Sequence, residues 1–80
     1  MSKHYAIKER VRRKSEVLSY IKNTPGGSLA TVPSFLSLQP TMGGVTADTV
    51  MDYITELLEE GSIYIKGGCI YEMDYQGAQP

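Results

Sequence analysis

The clearest hydrophobic pattern in the chain lies between Thr46 and Met73. Val50, Ile54, Leu57 and Leu58 recur at i, i+4, i+7 and i+8, a spacing that gathers apolar side chains on one face of an α-helix. Thr46 stands where a hydroxyl can cap that helix, and Asp48 follows in the first turn, where the helix dipole favours an anion. Gly61 supplies the C-terminal exit. Two short runs follow, residues 62–66 and 69–73, separated by Gly67-Gly68. A two-glycine loop suits the primed hairpin turns, whose central residues need positive φ. The predicted ribbon pairs Ile65 with Ile70 and Tyr64 with Tyr71. One of its faces carries Ile63, Ile65, Ile70 and Glu72 and should pack on the helices; the other carries Tyr64, Lys66, Cys69, Tyr71 and Met73.

Upstream the pattern is less regular. From about Ile7, the residues Ile7, Val11, Leu18 and Ile21 fall near one helical face with Val17 beside them. Asn23 to Gly27 ends this first helix, because Pro25 cannot continue it. A short extended piece is expected at residues 28–30. A second helix is then capped by Thr31, carries Pro33 in its first turn and turns Val32, Phe35 and Leu36 inward. Residues 1–6 read as a flexible arm, 7–75 as one domain and 76–80 as a flexible tail.

Composition narrows the chemistry. Eighty residues make a single small core. Cys69 is the one cysteine and His4 the one histidine, so neither a disulfide framework nor a transition-metal ligand set is available. No Ser-His-Asp set or apolar-walled carboxylate pair is evident, and neither a catalytic role nor a cofactor is expected. No apolar run is long enough to span a bilayer or serve as a signal peptide, which leads to an expectation of a cytoplasmic protein with no membrane partner.

The net charge of −1 conceals a polarised distribution. Residues 1–22 carry Lys3, Lys8, Arg10, Arg12, Arg13, Lys14 and Lys22 against Glu9 and Glu16, a net of +5. Residues 23–45 carry no charged side chain, and residues 46–60 carry Asp48, Asp52, Glu56, Glu59 and Glu60, a net of −5.

The order helix, short strand, helix, helix, hairpin resembles the winged helix-turn-helix superfamily of DNA-binding domains over roughly residues 8–74. The string TADTVMDYITELLEEGSI at residues 46–63 is similar to that superfamily's recognition helix, with Thr46 as cap, Thr49-Val50, an aliphatic stripe and a Gly-aliphatic exit. The resemblance implies an α+β winged helix: three helices plus a C-terminal β-hairpin, with a short strand between the first two helices. It also implies double-stranded DNA as partner, a role in transcription regulation and a homodimer on paired half-sites. Thr46, Asp48, Thr49 and Asp52 would then face the major groove. Arg10, Arg12, Arg13, Lys14 and Lys66 would neutralise phosphates. Two features depart from the pattern: the connection at residues 39–45 is long and glycine-rich, and the third helix is acidic where recognition helices usually carry Arg, Lys, Asn or Gln. A second reading therefore stays open, in which the acidic third helix docks on a basic protein partner.

Overall fold

A computed structural model describes the backbone of residues 3–77 and the side chains of residues 7–77. Helix α1 (Lys3–Asn23) leads through strand β1 (Gly27–Ser28) to helix α2 (Val32–Ser37). A turn of 3-10 helix (Pro40–Met42) precedes helix α3 (Ala47–Glu59), and strands β2 (Ile63–Lys66) and β3 (Cys69–Glu72) close the chain. The sheet is antiparallel in the order β1-β3-β2. The fold is α+β, with three helices and a C-terminal hairpin, an arrangement consistent with a winged helix.

The core forms where the apolar faces of all these elements converge. Val17 and Ile21 of α1, Val32 and Leu36 of α2, Val50, Tyr53, Ile54 and Leu57 of α3, and Ile63 and Ile70 of the hairpin are all buried. Met42, from the 3-10 turn, is fully enclosed among them. The long connection between α2 and α3 is therefore anchored by a buried side chain, which accounts for its length without leaving it loose. Gly43 ends that turn at φ +66°, a left-handed conformation that glycine adopts without a steric penalty.

The hairpin has the predicted register: Ile65 faces Ile70 and Tyr64 faces Tyr71, with Gly67 and Gly68 both at positive φ. Its Ile63/Ile70 face lies on the helices. On the other face Tyr64 stacks on Tyr71 at 5.3 Å, and Tyr71 stacks on Tyr75 at 5.3 Å. The Tyr64 hydroxyl donates to the Tyr75 carbonyl at 2.7 Å, tying the segment after β3 to the ribbon. Burial in this stack raises the Tyr71 hydroxyl above the ordinary phenol value.

Several local expectations need correction. Helix α1 begins at Lys3, so residues 3–6, assigned to a flexible arm, belong to the helix. Only the second half of its apolar face is used, because α1 runs past the edge of the core: Val17 and Ile21 are buried, whereas Ile7 and Val11 are each 60% exposed. Thr31 does not accept a capping hydrogen bond; its hydroxyl instead donates to the Ser28 carbonyl at 3.5 Å. Phe35 is half exposed because it tilts against Tyr20 on the flank of α1, with ring centroids 5.4 Å apart. Leu58, on the predicted core stripe, is 42% exposed, whereas Tyr53, outside that stripe, is buried in the core. The last residues of the expected tail, 78–80, lie outside the described residues.

Candidate nucleic-acid interface

The N-terminus of α3 is built as the sequence implies. Thr46 is extended, and its Oγ1 accepts from the Thr49 backbone N–H at 3.3 Å. The two hydroxyls lie 3.2 Å apart. Asp48 and Asp52, one turn apart, stand exposed on the same helix, and Glu59 is exposed further along it. Among the described residues none of these three carboxylates forms an ion pair.

The C-terminal half of α3 is different, because α1 lies alongside it. Arg10 grips Glu56 with both guanidinium nitrogens; Nη1 is 2.9 Å from Oε1, and Nη2 pairs with Oε2. The same guanidinium lies over the Tyr53 ring, 5.3 Å from its centroid, an arrangement that attracts a cation to the aromatic face. Four residues further along α1, Lys14 pairs with Glu60 and reaches Glu56 at 3.4 Å. The Arg10 hydrogen bond, with help from Lys14, holds the Glu56 carboxyl down to about 2. The reciprocal effect raises Arg10 through Glu56 and Lys14 through Glu60.

Arg12 and Arg13 belong to a second, intrahelical cluster. Glu9 accepts from Arg12 at 3.0 Å and lies 3.7 Å from Arg13 Nη2, and the Arg12 hydrogen bond lowers the Glu9 carboxyl below its ordinary value. Arg13 turns towards the α2–α3 connection: a β-carbon placed on Gly43 would stand 3.2 Å from its Nη2. Its Nε is buried without a hydrogen-bond partner among the described residues. Arg13 is thus the α1 cation packed against the turn that leads into α3, three residues before Thr46. Lys66 is exposed at the tip of the hairpin.

The named residues therefore fall in four places. Thr46, Asp48, Thr49 and Asp52 share the open N-terminal part of α3, with Arg13 beside the approach to it. Arg10 and Lys14 are engaged with the acids of the C-terminal half. Arg12 sits with Glu9 on α1, and Lys66 occupies the ribbon tip. The sequence reading left out the ion pairing between α1 and α3. Its signal was the pair of opposite charge blocks, +5 and −5, in one short chain.

No protein-family model matches the chain, and neither a curated protein nor a solved structure matches it. Among the described residues no group of His, Cys, Asp and Glu side chains could hold a metal ion, and no helix is long and apolar enough to cross a membrane.

Proposed function

We propose that the protein binds double-stranded DNA through the N-terminal end of α3 and the hairpin beside it, and acts as a transcriptional regulator by occupying its site. The observation that carries this reading is the placement of charge around α3. Arg10 and Lys14 neutralise Glu56 and Glu60 within the chain, which removes much of the helix's repulsion for a polyanion. Arg13 stands at the other end, beside the turn that opens the helix. The first turns of such a helix are the ones that meet base edges. Thr46 and Thr49 offer hydroxyls there, and Asp48 or Asp52 can accept from a cytosine amino group. Arg12, Arg13 and Lys66 supply phosphate contacts.

Retention on duplex DNA at about 50 mM salt, lost by about 500 mM, is the expected behaviour of a binder that displaces condensed counterions. Arg13→Ala should weaken binding to every sequence and reduce the salt slope by about one. Absence of retention at low salt would reject DNA as the partner. The exposed acids Asp48, Asp52 and Glu59, which have no ion pair among the described residues, favour the second reading. In that reading α3 docks on a basic protein surface, with charge complementarity setting orientation.

A further inference from the structure

A cleft of about 320 Å³ lies between α1, α2 and the 3-10 turn, and none of the residues assigned to DNA above lines it. Its floor is apolar: Leu36 and Met42 reach it from the core. Tyr20 and Phe35 make an aromatic wall, with ring centroids 5.4 Å apart and Phe35 48% exposed. The volume suits a small organic ligand, since such pockets start at roughly 300 Å³.

The polar groups of the cleft share one character. Glu16 is the one charged side chain among the described residues that line it, and it is exposed with no ion pair among them. The two amides that line the cleft direct their donors into the chain: Asn23 Nδ2 donates to Ser19 Oγ and Gln39 Nε2 to the Phe35 carbonyl, each at 3.5 Å. Their carbonyl oxygens accept no hydrogen bond among the described residues. Helix α1 also ends here, at Asn23, and the C-terminal end of a helix carries partial negative charge.

We propose that this cleft binds a small organic cation, an amine or guanidine with an aromatic or aliphatic body. The charged end donates to the Glu16 carboxylate and the two amide oxygens. The body lies against Tyr20 and Phe35, whose ring faces attract positive charge. Other ligand classes fit worse. An anion would meet Glu16 and the negative helix end with no counter-charge. A neutral apolar molecule would cover the amide oxygens without supplying a donor, which costs their hydration. Residues 23–45 carry no charged side chain, so α2 and the turn offer no further acid to hold a basic protein surface. The occupant is therefore a free molecule with one positive charge. The proposal holds whatever α3 binds.

Titration of the full chain with phenethylammonium, phenethyl alcohol and hydrocinnamate, followed by two-dimensional NMR, tests it. The ammonium should bind saturably and shift the amide signals of Tyr20, Phe35 and Met42. The alcohol should bind about fivefold more weakly and the carboxylate not at all. Glu16→Gln, at an exposed position with no ion pair to lose, should weaken the ammonium about fivefold and leave the alcohol unchanged. Phe35→Leu, which keeps an apolar wall and removes the ring, should weaken the ammonium about threefold. Glu59→Gln, which alters an exposed acid outside the cleft, should change neither. Failure of the ammonium to saturate by about 10 mM would overturn the proposal. So would equal binding of ammonium and alcohol, or indifference to Glu16→Gln. A neutral peptide with one central lysine that binds more tightly than the ammonium would also overturn it, by assigning the cleft to a protein partner. Because the readout is ligand binding to the free protein, its failure is separate from any failure to retain DNA.

Discussion

The two halves of α3 carry the same sign of charge and end in different situations. At the C-terminal end α1 answers two of three acids: Arg10 and Lys14 close on Glu56 and Glu60, while Glu59 stays exposed. The N-terminal half keeps Asp48 and Asp52 exposed beside the Thr46 cap. The difference follows from where α1 lies, since its cations at positions 10 and 14 are one turn apart and reach α3 acids that are also one turn apart. A run of five acids in a sequence is therefore not one acidic surface. Part of it is the glue of a helix pair, and only the remainder is available to a partner.

The comparison depends first on α3 being held rigidly in the core. Ile54 is fully buried midway between the two halves. Ile54→Ala removes buried methyl groups and leaves a cavity, so it should cost about 2–5 kcal/mol in a urea titration. A loss well under that range would mean the helix settles elsewhere, and the distinction between its two halves would lose its basis.

The cap at the open end comes next. Thr46→Ala removes the acceptor for the Thr49 N–H and should cost about 1 kcal/mol. The loss should be local, seen as faster amide exchange in the first turn of α3 with the Glu56 end unaffected. Equal exchange at both ends would contradict the independence of the two halves.

The paired end is sharpened by pH. The Glu56 carboxyl, held down by Arg10 to about 2 in the folded protein, has an ordinary value of 4.5. A carboxyl whose folded value is depressed contributes stability above its unfolded value and loses it as pH falls towards the folded one. Glu56 should therefore contribute fully above about pH 4.5 and progressively less down to about pH 2. Glu56→Gln should flatten that part of the acid unfolding profile and lower the neutral-pH midpoint by less than Ile54→Ala does. The group is solvent-exposed, so added salt should shrink the difference between the two proteins. An acid profile of Glu56→Gln superimposable on the wild type's would show that the pair carries no folding energy.

These contrasts also mark what was legible in the sequence. The hairpin register could be read because Gly67-Gly68 fixes the turn and strand alternation fixes the faces. The Thr46 cap and the Gly61 exit could be read because their signals are local. Phe35 and Tyr53 were misplaced because periodicity gives a stripe but not its centre: α1 covers the Tyr53 flank of α3, and Phe35 finds Tyr20 at the edge instead of the core. The Arg10–Glu56 and Lys14–Glu60 pairs depend on the mutual rotation of two helices separated by more than twenty residues, which no local pattern encodes. The Met42 anchor was hidden for the same reason, since a lone methionine between Pro40 and Gly43 carries no period.

The smallest expected effect on stability is also the one that best separates the two readings of the open end. Asp52 is exposed, has no ion pair among the described residues and sits one turn from Glu56. Its charge is felt by Arg10, which it helps to raise. Asp52→Asn keeps the shape of the side chain and removes one negative charge, so the folding free energy should change by no more than about 0.5 kcal/mol. Binding should respond more. If the open end of α3 faces DNA, the loss of a charge that repels phosphates should strengthen non-specific duplex binding, most visibly at low salt. If α3 docks on a basic protein surface, the same substitution should weaken the complex, because a rim charge facing a complementary patch has been removed. Duplex titrations of Asp52→Asn and wild type at two salt concentrations should therefore show tighter binding by the variant under the first reading, and no duplex binding by either protein under the second. A variant that binds duplex more weakly than the wild type would remove the electrostatic argument for DNA at this end of the helix.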